Sequence, residues 1–490
     1  MSSIKRNFLF LLLLAISSQS CVRNPVTGKK QLSLMSEEQE IAIGLQSHPE
    51  VVSSMGLYKD AKLDTFITQK GRAMAAISHR PNLPYQFHIV DSPVVNAFAV
   101  PGGYVYFTRG ILAHFNNTAE FAGVLGHEIG HITARHSARQ QTSQILGQVG
   151  LLAGMVLSEQ VRQMGEQASQ AVQAMMLSYS REHETESDEL GVSYSSKIGY
   201  NAKEMASFFN TLKRISDDAG HNIPTFQSTH PDPGDRFINV GKLAAEYQAK
   251  NPGTYATDRE SYLKMIDGII YGDDPKQGFI ENQTFYHPDL KFQFPVPLAW
   301  QTQNSPASFQ MAPKDGKSMM ALTLGNGKTL EEAAQAKIKQ YNLQVLQNKK
   351  TTINGIPALV FVATVPQQQQ QQQPQQPGQQ QPTIQLVSWF FEHNGLVLNL
   401  YGVASSSEFN NAAIVFQAVA AGFKPLTDNE KLNRKPERLV IKTVPRNATF
   451  KEIMKGFGMP DARLKELGII NQLNDNDIVK QGTLIKTIQR

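Results

Sequence analysis

The hydrophobic pattern divides the chain into stretches of different period. Phe8 to Ile16 is an apolar run behind Lys5 and Arg6, too short for a comfortable membrane span and laid out like a signal peptide. Ser36 opens a helix, with Gln39 as its capping-box partner. Leu63, Phe66, Ile67 and Met74 predict a second helix over 61–78. Residues 85–107 change to strand-like alternation, with Pro101-Gly102-Gly103 as a tight turn before the β-formers Tyr104 to Phe107. Phe121, Val124, Leu125 and Ile132 form the apolar stripe of a helix capped by Asn117 or Thr118 and running to about Gln140. Residues 144–157 are apolar and glycine-rich and predict a packed helix, with a mobile lid or membrane-touching element as the sharper reading. A polar, Gln-rich helical stretch covers 158–176, a charge-rich helix covers 178–200, and helical residues to about 250 close the first domain.

A new α+β unit is expected over 278–426. Phe292, Phe294 and Val296 read as a strand, 330–341 and 409–423 as helices, and 356–365, 384–391 and 396–403 as further strands. Between two of these strands lies a glutamine run, 366–382, whose composition cannot bury a core and predicts a disordered hairpin loop. Residues 427–438 read as a linker, and 439–490 as a small strand–helix–helix–strand module.

Composition sharpens this outline. Hydrophobic content of 41% with 18% charged residues suits sizeable cores. A net charge of +5 over 490 residues is too mild for a nucleic-acid partner. The positive charge gathers in Lys431–Arg490, with 13 Lys/Arg against 6 Asp/Glu. Cys21 is the sole cysteine, which excludes an intrachain disulfide. Placed directly after the apolar run, it reads as a lipid-attachment site released by cleavage of a signal peptide, 1–20. Val22 after it favours outer-membrane sorting in a Gram-negative envelope. A lipid plus a basic tail gives two membrane-directed signals.

The chemistry sits at His127-Glu128-Ile129-Gly130-His131. On a helix, residues four apart share a face, so both imidazoles can address one metal while Glu128 reaches a water there. Catalytic zinc takes three protein ligands and leaves one position open. His136 is one residue off the spacing that would point it at the metal. The third ligand is then most simply a carboxylate on the helix of 178–200. Glu184, followed at i+4 by Asp188, is the best candidate, with Glu182 and Glu186 as competitors.

Four ordered motifs carry a resemblance. They are Asn96-Ala97-Phe98-Ala99 with Pro101-Gly102-Gly103, the HExxH, Ser180-Arg181-Glu182 leading to Glu184 and Asp188, and His230-Pro231 with Arg236. Over about residues 24–250 the chain resembles the zinc metallopeptidase family of the CAAX prenyl endopeptidase, HtpX and BepA. That resemblance implies one zinc per chain on His127, His131 and Glu184, with Glu128 as general base and Asp188 behind a ligand. It implies that His230 approaches the zinc, as oxyanion stabiliser or resting-state occupant of the open position, with Arg236 as a supporting partner. Substrate backbone is expected to add to the strand of Asn96, Ala97, Phe98, Ala99 and Val100. Such a mode fits unfolded envelope proteins.

Weaker resemblances link 278–426 to PsbP-like domains, through Phe294-Pro295-Val296-Pro297 and Trp300, and 439–490 to a degenerate LysM module. The LysM likeness implies peptidoglycan binding, and the basic surface of this module suggests an anionic envelope partner as an alternative use. The expected fold is therefore α+β and multidomain: a mainly helical zincin-type peptidase domain with a small sheet over 21–270, an α+β sandwich domain, and a βααβ module. The expected function is a membrane-anchored, periplasm-facing zinc endopeptidase. The competing expectation is a lipoprotein chaperone or wall tether with a latent peptidase domain.

Overall fold

A computed structural model describes residues 21–143, 179–219, 230, 233–365 and 383–490. The signal stretch, the apolar segment of 144–157 with its polar continuation, and the glutamine run all fall outside these residues. Among the described residues, no helix is long and apolar enough to cross a membrane. The chain divides into two compact units. One holds Gly56–Gly272 and Glu437–Arg490 with the N-terminal part, and the other holds Asp273–Pro436 together with Ser53–Met55.

Ser36, in the first unit, caps the start of the helix Glu37–Met55 through the full capping box with Gln39. Asp60 caps the next helix, Ala61–Ala76. A three-stranded sheet follows, in the order Gln86–Val90, Tyr104–Thr108, Ala97–Val100. The first pair is parallel and the second antiparallel, and among the described residues Ala97–Val100 lies at an edge. Gly102 and Gly103 make the turn between the antiparallel strands with φ of 85° and 104°, which a side chain would strain.

The HExxH helix spans Thr118–Thr133 and is buried on every side. Its N-cap is Asn117, whose side chain accepts from the Glu120 backbone N–H. It packs on the helix Arg181–Lys197, which carries the candidate carboxylates. The two axes come close because glycines meet. A Cβ on Gly126 would stand 3.0 Å from Gly191 Cα, and one on Gly130 would stand 3.3 Å from Ser187 Cα.

The HExxH helix does not run on to Gln140. It ends at Thr133, and Arg135 takes a left-handed φ of 58° before helix resumes at His136. The break is fixed from the N-terminal part of the chain. Arg135 donates to Met35 O at 2.7 Å, and Arg80 donates to Ile132 O at 2.9 Å. Glu40 accepts from both guanidinium groups.

Residues 439–490 read as a separate module, yet Glu437–Arg490 belongs to the first unit. The strand Glu437–Thr443 pairs with Leu484–Gln489 on one side and with Ile270–Tyr271 on the other. Leu439, Phe450, Leu467, Ile470 and Ile485 join the core that contains Phe107, Phe121 and Leu125. Lys486 is fully buried and donates to the carbonyls of Ala113, His114, Phe115 and Ile470. Gln472 donates to Glu120 in the first turn of the HExxH helix at 2.8 Å.

The second unit contains a seven-stranded antiparallel sheet and a four-stranded one. In the strand Ile384–His393, Val387, Trp389 and Phe391 enter one core while Leu386 and Phe390 enter another. That two-sided alternation is why the strand reads as a continuous apolar run. Val365 pairs with Ile384, so the glutamine run joins the two strands of a hairpin.

Candidate metal centre

Helical spacing brings the HExxH imidazoles to one point. His127 Nε2 and His131 Nε2 stand 3.0 Å apart. Glu184, from the partner helix, places a carboxylate oxygen 3.5 Å from each of them. His230 Nδ1 is 3.3 Å from His127 Nε2 and 3.1 Å from Glu184 Oε1. All four side chains are buried, and one ligand atom from each lies within 4.8 Å of the others. Tetrahedral zinc with bonds of about 2.0–2.1 Å needs donor separations of about 3.3–3.4 Å, so this donor set fits the ion.

The competing carboxylates go elsewhere. Glu182 is exposed. Glu186 turns away from the cluster to His136 and Arg139. Glu184 is taken up by the cluster and by Arg236, whose Nη1 is 2.8 Å away. Burial works against its charge, yet His230 and Arg236 hold its pKa down at about 2. Asp188 sits one turn on and is 2.9 Å from His127 Nδ1. Burial opposes its charge too, and Arg236 outweighs that and lowers its pKa.

Glu128 is the odd member. Neither carboxylate oxygen has a hydrogen-bond partner, and the side chain is fully buried. Burial raises its pKa. An unpartnered buried carboxylate costs free energy unless something is meant to meet it. His230 Nε2 stands 3.7 Å from Oε1, beyond hydrogen-bond distance.

The edge strand completes the setting. Asn96 is buried just before it, and Phe98 is the half-buried member, while Ala97, Ala99 and Val100 are buried. A cleft beside His131 is lined by Ala99, Val100, Pro101, Ser137 and Tyr179. Ala99 and Val100, from a strand at the sheet edge among the described residues, thus line the same cleft as the ligand His131.

Three features escaped the sequence reading. Tyr179 stacks on His131 with ring centroids 4.0 Å apart. His136 does not point away: its Nδ1 is 2.9 Å from His131 Nδ1. The reason is the break at Arg135, which turns a position that a continuous helix would carry round to another face. Glu186 is the third, tied to that same His136.

Comparison with known proteins agrees with this geometry. The model of Peptidase family M48 matches residues 61–244. A putative beta-barrel assembly-enhancing protease of Vibrio cholerae is 29% identical over 243 residues, covering 48% of this chain and 50% of that protein. A beta-barrel assembly-enhancing protease of Yersinia pestis is 29% identical over 260 residues, 51% of this chain and 52% of the relative. The mitochondrial metalloendopeptidase OMA1 of Arabidopsis thaliana is 28% identical over 203 residues, covering 41% and 39%. The chain thus spans about half the length of these three relatives or less. The converging ligand donors His127, His131 and Glu184 all lie within residues 61–244, the stretch that is similar to Peptidase family M48, and their set fits a zinc ion.

Proposed function

We propose that this chain is a zinc-dependent endopeptidase of the bacterial cell envelope, hydrolysing unfolded or misassembled envelope proteins. One observation carries the reading. The unpartnered Glu128 carboxylate lies buried beside the only cluster of potential metal ligands among the described residues. Relatives named as beta-barrel assembly-enhancing proteases support the envelope setting.

The residues divide the work as follows. His127, His131 and Glu184 hold zinc, which supplies Lewis-acid polarisation when bound. Glu128 accepts a proton from the attacking water on a carboxylate oxygen and returns it to the leaving amine. Its raised pKa suits a group that must hold that proton between the two events. His230 presents an imidazole to the same space, where it can donate to the developing oxyanion. Its burial lowers its basicity, but Glu184 and Glu128 outweigh that and favour the protonated ring. Asp188 and Arg236 hold the ligands in place. Substrate backbone adds to Ala97–Val100, an edge strand among the described residues, next to Asn96, and such addition recognises extended chain more than side chains. Lipid on Cys21 tethers the mature chain to the membrane facing the periplasm.

Glu128→Gln tests the mechanism. The variant should bind zinc as tightly as the wild type and lose cleavage of an unfolded protein such as casein. Undiminished cleavage would sink the assignment. Cys21→Ala should abolish incorporation of a labelled fatty acid, and persistence of label would refute the tether.

A further inference from the structure

We propose that His136 and Glu186 are positioning residues for the ligand His131, setting its tautomer and ring plane through a chain of hydrogen bonds. The inference rests on the zinc-peptidase reading.

Protons follow from the ligand geometry. His131 faces the cluster with Nε2, so the ring proton sits on Nδ1. Nδ1 is 2.9 Å from His136 Nδ1 and donates to it. His136 then carries its own proton on Nε2, which donates to Glu186 Oε2 at 3.1 Å. Glu186 Oε2 also accepts from Arg139 Nη1 at 2.5 Å. Ser187 Oγ lies farther from His136 Nδ1, at 3.3 Å, so the single lone pair of that nitrogen goes to the nearer His131. Each link has one donor and one acceptor.

The other HExxH ligand has the same support with one ring fewer. His127 Nδ1 is 2.9 Å from Asp188, and Asp188 is neutralised by Arg236. Behind each imidazole stands a carboxylate paired with an arginine. Behind His131, the pair Glu186–Arg139 acts through His136. Stacking fixes the ring planes: Tyr179 lies on His131 at an interplanar angle of 22°, and His183 lies on His136 at 18°. Groups behind a metal-bound histidine raise its basicity and fix its orientation, and their loss costs about 10–100-fold in metal affinity.

The test is zinc affinity of the full chain, by competition with a chromophoric chelator, alongside ¹⁵N NMR of the histidine rings. His136→Leu fills the space without an acceptor and should weaken zinc binding by about tenfold or more. His136→Asn places Oδ1 where Nδ1 stood and should recover most of that loss. Glu186→Leu should give an intermediate loss and a mixed His136 tautomer. Circular dichroism of the metal-free variants checks folding. If His136→Leu does not fold, Glu186→Leu decides alone, because that side chain is at the partly exposed end of the chain of bonds. Folded variants that match tight wild-type binding within twofold, or an Asn variant no better than Leu, overturn the relay. Absence of zinc binding by the wild type would overturn the peptidase reading and the relay with it.

Discussion

Arg236 grips Asp188 with two parallel hydrogen bonds, Nε to Oδ2 at 2.9 Å and Nη2 to Oδ1 at 2.6 Å. Its Nη1 faces Glu184 at 2.8 Å, so one buried guanidinium serves two buried carboxylates. Removing one partner of such a pair leaves uncompensated charge and costs about 3–5 kcal/mol. Arg236→Met should therefore lower unfolding free energy by that order in urea titration of the metal-free chain. Asp188→Asn should cost less stability and about 10–100-fold in zinc affinity. Both residues act on the same partners, so the double variant should fall short of the sum. Additive effects would mean that the two work independently.

Four buried ligand donors stand together beside Glu128, whose carboxylate oxygens have no hydrogen-bond partner. A ligand that binds only the folded state stabilises by RT ln(1 + [L]/Kd), about 4 kcal/mol at a thousandfold excess over Kd. Chelation should therefore lower the melting temperature, and zinc should restore it. Glu128→Gln should show the same metal-dependent shift as the wild type, since Glu128 is not a ligand. A melting temperature indifferent to zinc would remove the metal from the fold.

Lys486 meets four main-chain carbonyls, which takes the three protons of an ammonium with one shared. Lys486→Met keeps the bulk and strands those acceptors, each at about 1–3 kcal/mol where water cannot reach. The loss should appear as a lower urea midpoint for the first unit and a weaker start to the HExxH helix, read by hydrogen exchange at Glu120 and Phe121. An unchanged midpoint would show that Glu437–Arg490 packs on this unit without supporting it.

The parts of the site readable in the sequence are those set by a local period. His127 with His131 and Glu184 with Asp188 are four residues apart on helices, so spacing alone gives the face. The Ser36 box, the Asn117 cap and the strands 356–365 and 384–391 are likewise local. What stayed hidden depends on distant chain. His136 joins His131 only because Met35 and Glu40 hold the kink at Arg135. The pairing of Glu437–Thr443 within the first unit includes a two-residue strand, Ile270–Tyr271. Gln344–Ile353 is a strand, unseen because it is exposed along most of its length and shows no alternation.

Lys337 offers a pH test in the second unit, remote in sequence from the metal ligands. Its Nζ lies over the Tyr401 ring and donates to Asn399 Oδ1 at 2.6 Å. Burial nonetheless pulls its pKa from 10.5 down to about 7. Below pH 7 folded and unfolded chains both hold the proton, and the full cost of the buried charge is present. Between 7 and 10.5 the unfolded chain holds a proton that the folded one has released. Stability should then rise with pH, by at most about 1.4 kcal/mol per unit. Trp300 and Trp389 are the two tryptophans and both lie in this unit, so their fluorescence reports its unfolding. Lys337→Met should flatten the rise. An equal slope in the variant would assign the effect to another group.

Gly126 tests whether the distance between the two ligand-bearing helices matters for the metal. A Cβ there would press on the Gly191 backbone, at 3.0 Å from both Cα and O, and backbone cannot rotate aside. Gly126→Val should force the HExxH helix away from the helix that carries Glu184. Overpacking of this kind costs about 1–3 kcal/mol. The larger effect falls on the ligands, because a shift of a few tenths of an ångström at residue 126 separates His127 from Glu184, already 3.5 Å apart. Zinc affinity should therefore drop further than stability does, and a control of equal bulk away from the interface should not separate the two. Gly199, with nothing within 4 Å of its Cβ position, is unsuited to that control because its φ is +89°. Gly456 has equal space and ordinary backbone, so Gly456→Val should leave zinc binding untouched. Equal zinc affinities in Gly126→Val and wild type would show that the helices reach the ligand geometry without their close approach.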